Sequence, residues 1–182
     1  MKKFFLILAF FSLITGAFAS TKKNIIKNLN ETKNLTFNFE QNINGKLENG
    51  YCVIQFPKKI NCRYNSKNKK ILVSNGNSLV IKTLSSYYLY PLEKTPLNLI
   101  LNKNFIINKI KETENKLIND KYINFKIFEN ENEINIFFDK NSYDLIGWQT
   151  LDIYQNLSIT FLSTVSKNND LNNNLFKLPT QN

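Results

Sequence analysis

The sequence predicts a mainly β fold with short helices (α+β): a single curved antiparallel sheet, forming an incomplete barrel, with helices as cover for its concave face. Short runs of alternating apolar and polar residues recur along the chain, tight-turn sequences separate them, and two stretches alone show helical spacing. No internal repeat or linker divides the chain after residue 19, so residues 20–182 are expected to form one domain.

Lys2 and Lys3, the uncharged apolar run Phe4 to Ile14 and the small-x-small pattern Ala17-Phe18-Ala19 read as a secretory signal peptide, residues 1–19, cleaved after Ala19. That run is shorter than the roughly 18–20 apolar residues of a spanning helix, and the mature chain is expected to be soluble and extracytoplasmic. Ser20 follows the cleavage point, so no cysteine stands there to carry a lipid anchor.

From Thr21 to Thr32, Ile25, Ile26 and Leu29 share one helical face, with Ser20 or Thr21 as cap. The period then becomes two: Leu35, Phe37 and Phe39 alternate with Thr36, Asn38 and Glu40. Strands follow at Tyr51 to Phe56 and Ile60 to Tyr64 around Pro57-Lys58-Lys59, then at Ile71 to Ser74 and Ser78 to Lys82 around Asn75-Gly76-Asn77, where Asn-Gly signals a hairpin. Tyr87 to Tyr90 continues the meander. Thr95-Pro96 opens a second short helix in which Leu97, Ile100 and Leu101 share a face. Strands are expected again at Ile123 to Phe128, Glu133 to Phe138, Leu145 to Asp152 and Leu157 to Ser163, the first two joined by the turn Asn130-Glu131-Asn132. The tail holds a brief turn with Asp170 as cap and Leu171, Leu175 and Phe176 inside it, then a polar run expected to fray.

The net charge is +10, but the lysines are scattered and form no basic face interleaved with stacking aromatics. Nucleic acid is therefore not an expected partner. Histidine is absent, which removes the usual general base and the commonest zinc ligand. No paired-carboxylate cluster, phosphate loop, metal-ligand spacing or cofactor motif occurs, so an enzyme is not expected. Asn30-Glu31-Thr32, Asn34-Leu35-Thr36 and Asn156-Leu157-Ser158 match the glycosylation pattern by chance in so asparagine-rich a chain. Cys52 and Cys62 lie on opposite arms of one hairpin; a turn centred on Lys58 sets them diagonally, and a register one pair away sets them face to face. In an oxidising compartment a structural disulfide is expected, with two buried thiols as the alternative.

The segment from Gly50 to Phe105 resembles the outer-membrane lipoprotein carrier family, LolA. The resemblance rests on ordered pieces: Phe37-x-Phe39-x-Gln41, a glycine-opened strand leading to Pro57, Tyr64 closing the next strand, Ile71-Leu72-Val73-Ser74-Asn75-Gly76, and Tyr90-Pro91-Leu92 followed by Thr95-Pro96-Leu97. Phe138-Asp139, Leu145 to Trp148 and Leu175-Phe176 resemble the family's closing strands. It implies an unclosed β-barrel capped by helices, a monomer in the periplasm of a Gram-negative bacterium. Such a protein takes lipoprotein acyl chains from an inner-membrane releasing complex and delivers them to an outer-membrane acceptor. Candidate cavity residues are then Leu35, Phe37, Phe39, Ile54, Phe56, Ile60, Leu79, Ile81, Tyr88 and Tyr90. The lid is assigned to Leu97, Ile100 and Leu101, with Ile25, Ile26 and Leu29 closing the other side. For any one of these residues simple core packing competes with a cavity role. Many family members carry an arginine before the proline equivalent to Pro57, where it can bond lid carbonyls. Here Phe56 stands there, and apolar closure with Phe56 beneath the Thr95 to Leu101 helix is expected.

Three other readings compete. An anchored acceptor would need the cysteine that Ser20 replaces, a lipid-sensing signalling protein would usually carry a second domain, and a general lipid or fatty-acid carrier would differ in cargo alone.

Overall fold

The structure is a computed structural model that describes residues 20–129, 132–172 and 174–181. The expected signal peptide, residues 1–19, and the turn residues Asn130 and Glu131 lie outside that set.

Helix α1 covers residues 20–31. Its Ile25 and Leu29, one turn apart, enter the core, and Thr32 ends it by returning its hydroxyl to the Asn28 carbonyl at 2.7 Å. Six strands follow: β1 Asn34–Ile43, β2 Lys46–Gln55, β3 Lys59–Tyr64, β4 Ile71–Asn75, β5 Ser78–Lys82 and β6 Tyr87–Pro91. A 3₁₀ turn at Leu92–Lys94 leads to α2 (Leu97–Ile100) and α3 (Lys103–Glu112), after which come β7 Asn115–Ile118, β8 Tyr122–Glu129, β9 Asn132–Asp139, β10 Leu145–Leu151 and β11 Leu157–Lys167.

All eleven strands of the described residues form one antiparallel sheet in the order β6-β5-β4-β3-β2-β1-β11-β10-β9-β8-β7. β6 and β7 are its two edges, so the barrel is not closed. Bulges between Thr36 and Asn38 on β1 and between Leu145 and Gly147 on β10 interrupt the ladders, and each adds local bend and twist. Phe37 sits inside the first of them, fully buried and edge-on to Trp148 at 6.4 Å.

The sequence expectation of two helices falls short by one. Helix α3 puts Ile106, Ile107 and Ile110 into the core and is capped by Asn102, whose side chain accepts from Phe105 N at 3.2 Å. β7 was likewise unexpected. β2 begins at Lys46 and not at Tyr51, because Asn44 and Gly45, at φ 48° and 87°, form a tight turn that pairs Ile43 with Lys46. Pro57 follows a cis peptide bond in the β2–β3 turn. The register there pairs Cys52 directly with Cys62 and not diagonally; the two sulfurs are bonded across the ladder, with Cα atoms 4.1 Å apart.

The tail also departs from expectation. Asn172, not Asp170, opens its turn, accepting from Asn174 N at 2.8 Å. The chain after it lies along the convex face instead of fraying: Asn61 donates to the Leu175 carbonyl at 2.6 Å, Lys59 Nζ sits 5.9 Å over the Phe176 ring, and Lys82 donates to the Thr180 carbonyl at 2.8 Å. Phe176 is buried on the side where Val53, Val73 and Val80 form a second apolar row, outside the main core. Replacing Phe176 by alanine is expected to cost about 2 kcal/mol, read as a lower urea midpoint. The loss is capped at the docking of the tail, because a freed tail leaves no enclosed void.

Candidate functional site

A cavity of about 250 Å³ opens between the inner face of the sheet and α2. One wall is the β4–β6 arm, with Leu72, Leu79, Ile81 and Tyr88. The opposite wall comes from Ile43 at the end of β1, from Trp148, Thr150 and Leu151 on β10, and from the 152–156 turn through Ile153 and Tyr154. Pro96 and Leu97 cover it. Thr95 begins the cover with its hydroxyl donated to the Leu92 carbonyl at 2.8 Å, so the segment before α2 presents carbon to the cavity.

The sequence candidates separate into two groups. Leu79, Ile81, Tyr88 and Leu97 line the cavity. Leu35, Phe37, Phe39, Ile54 and Ile60 share the inner face but are packed in the core, as are Ile25, Leu29, Ile100 and Leu101, with Ile26 partly buried against them. Tyr90 sits at an adjoining cleft with Pro91, Thr95 and Ile153. Phe56 lies away from the cavity, partly buried against the core. Trp148, Thr150, Tyr154 and the polar Gln41 were not foreseen as lining.

The mouth is flanked by tyrosines and by one polar cluster. The Tyr90 hydroxyl is pushed up to about 12, first by its hydrogen bond with Tyr154 and then by burial. Tyr90 on edge strand β6 thus stands beside Tyr154 of the β10–β11 turn, across the two arms of the sheet. Beside it Lys70 is paired with Glu48 and lies over the Tyr64 ring at 4.1 Å. Burial alone would raise the Glu48 carboxyl, but hydrogen bonds and charge from Lys70 and Lys46 outweigh it and hold the group below the usual carboxylate range. Tyr64, in turn, is raised by its burial and by the Glu48 charge.

The cover is held by main chain and by a lysine. Lys58 N donates to the Leu101 carbonyl at the end of α2 at 3.0 Å. Phe56 meets the start of α3: Lys103 Nζ stands 5.7 Å over its ring and donates to the carbonyls of Thr32 at 2.9 Å and Asn30 at 3.3 Å. The fastening next to Pro57 is therefore polar, and Lys103 joins the end of α1 to the start of α3. Burial lowers the Lys103 ammonium from its ordinary value.

The family described as outer membrane lipoprotein carrier protein LolA matches the chain over residues 30–179. The chain belongs to the LolA family. None of the curated protein sequences matches it. Its likeness to solved structures is one of fold. An uncharacterized conserved protein from Thermus thermophilus is 5% identical with a TM-score of 0.51, over 90% of this chain and 94% of that one. MucB is 7% identical with a TM-score of 0.51, over 90% of this chain and 63% of that one. A LolA superfamily protein from Nitrosomonas europaea is 8% identical with a TM-score of 0.48, over 88% and 97%. Among the described residues of this LolA-family chain no group of three or more His, Cys, Asp or Glu could hold a metal, and no helix is long and apolar enough to cross a membrane.

Proposed function

We propose that the chain is a periplasmic carrier that holds the acyl chains of lipoproteins in this cavity and moves them from the inner to the outer membrane. It acts as a binding protein and not as an enzyme. The cavity itself carries the reading: hydrocarbon from both arms of an unclosed sheet converges under a short helix. Each methylene taken from water contributes about 0.8 kcal/mol, so an acyl chain needs a continuous apolar container to cross an aqueous compartment. At about 250 Å³ the cavity falls below the roughly 300–1,000 Å³ of ordinary ligand pockets, so cargo enters with movement of the cover. The cover that must give way is the short helix α2, four residues long, beside a mouth flanked by Tyr154. An inner-membrane releasing complex would load the cavity and an outer-membrane acceptor would empty it.

Gentle purification from the periplasm followed by mass spectrometry tests this. A triacylated lipoprotein is expected to co-purify. Recovery of free fatty acid or phospholipid alone would replace the lipoprotein carrier by a general lipid carrier.

A further inference from the structure

The cavity is apolar except at one end, and that end has an uneven supply of hydrogen-bond groups. Gln41 donates both hydrogens of its amide, to Ser158 Oγ at 3.0 Å and Thr160 Oγ1 at 3.1 Å, while its carbonyl accepts from the Tyr64 hydroxyl at 3.2 Å. The amide is saturated. Each hydroxyl it serves has received a donor and keeps its own proton to give. Ser158 pairs directly with Thr150 across β11 and β10. Thr150 lines the cavity, is 8% exposed, and its buried Oγ1 has no hydrogen-bond partner. Such a hydroxyl in a packed interior is costly unless something arrives to use it.

The charges of the lining are meanwhile committed. The Asp152 carboxylate accepts from Tyr154 N at 2.8 Å, Asn156 N at 2.9 Å and Asn156 Nδ2 at 3.2 Å. The Lys70 ammonium is paired with Glu48. Donor protons without free charge match an uncharged acceptor.

We propose that the cavity recognises a neutral carbonyl group at the head of an acyl chain, an ester or an amide, through the hydroxyls of Thr150 and Ser158. This rests on the acyl-binding reading above and names the chemistry its ligand must carry. A carbonyl oxygen has two lone pairs and can take both hydroxyls, whereas a carboxylate, phosphate or ammonium would enter without an unpaired counter-charge. Esters of glycerol and fatty amides at a protein N-terminus share this chemistry.

The test is a titration of the purified protein followed by the fluorescence of Trp148, the single tryptophan of the chain, which lines the cavity. Monopalmitoylglycerol and its ether counterpart 1-O-hexadecylglycerol differ by the carbonyl. The ester is expected to bind about tenfold more tightly, and in Thr150→Val, which keeps the shape and removes the hydroxyl, the difference should shrink to about twofold. Palmitate should bind no better than the ester. An N-palmitoyl peptide amide in a parallel titration decides the source: tighter binding than the glycerol ester points to acylated protein, weaker binding to a glycerolipid, and either supports the carbonyl site. Equal binding of ester and ether by the unaltered protein would overturn the inference and leave the carrier reading standing. An undiminished preference in Thr150→Val, or tighter binding of palmitate, would also overturn it. If none of these compounds binds, the acyl-carrier reading falls and this inference with it.

Discussion

Gly50→Ala is expected to cost about 3–5 kcal/mol, a large part of the stability of a domain whose total is roughly 5–15 kcal/mol. Gly50 occupies the inner face of β2 between Phe39 on β1 and Tyr64 on β3. The two rings meet edge to face above it, 4.9 Å apart, filling the space that its own side chain leaves open. A Cβ there would stand 2.1 Å from the Arg63 carbonyl oxygen, 2.9 Å from the Tyr64 Cα and 2.9 Å from Phe39 Cε1. Two of those three atoms are backbone and cannot swing aside. The ladder cannot simply widen either, because Cys52 and Cys62 join the same two strands one inward position further along. Thermal unfolding should show a midpoint lowered by about 10 °C or more. Gly45→Ala is the control: Gly45 has φ 87° but nothing within 4 Å of an added Cβ, so it loses about 1 kcal/mol for the left-handed backbone alone. Similar midpoints for the two variants would show that close approach at Gly50 does not hold the β2–β3 ladder.

What could be read in the sequence, and what could not, follows from the range over which each signal acts. Alternation such as Leu35-x-Phe37-x-Phe39 reports a face of a strand locally, and Asn75-Gly76 reports a turn locally, so strands and hairpins were legible. Helix α3 was not. Phe105, Ile106, Ile107 and Ile110 have helical spacing, but isoleucine is stiff at χ1 and a weak helix former, and the cap at Asn102 is one asparagine among many. β7 has four residues at a sheet edge and leaves Leu117 half exposed, so no alternation marks it.

A signal for the docked tail is present in the sequence. Cys52-Val53-Ile54 and Leu79-Val80-Ile81 are apolar on both faces of their strands, a pattern that belongs to sheets covered on both sides. The cover is the segment carrying Phe176. For the cavity the limit is geometric. Alternation says which face a side chain takes but not how far along the barrel it lies. Phe37 and Ile81 face inward alike, yet Phe37 sits in the filled part of the barrel and Ile81 at the open part. Trp148, Thr150 and Ser158 come from β10 and β11, beyond the segment that carries most of the family resemblance, and reach the cavity because β11 pairs with β1.

The difference between Phe37 and Ile81 yields the largest functional effect expected of any single change. Ile81 is a half-buried cavity wall, paired with Leu72 on β4 and Tyr88 on β6, both of which also line the cavity. Ile81→Asp in the empty protein leaves its carboxylate facing the open cavity, so the thermal midpoint should move by only a few degrees. Once an acyl chain fills the cavity, that carboxylate must be buried against hydrocarbon without a partner, since Lys70 is held by Glu48. A penalty of about 3 kcal/mol corresponds to a loss of at least about 100-fold in acyl affinity. Phe37→Ala gives the opposite split: removal of a fully buried ring from the core should cost about 3–5 kcal/mol of stability while the folded fraction keeps its affinity within about threefold. Fluorescence titration with a palmitoyl ester, paired with thermal melts of both variants, reads both axes. Ile81→Asp protein that binds the ester as tightly as the unaltered chain would place the acyl site somewhere other than this cavity. A Phe37→Ala variant that lost affinity at full folding would extend the site into the row of Leu35, Phe37 and Phe39.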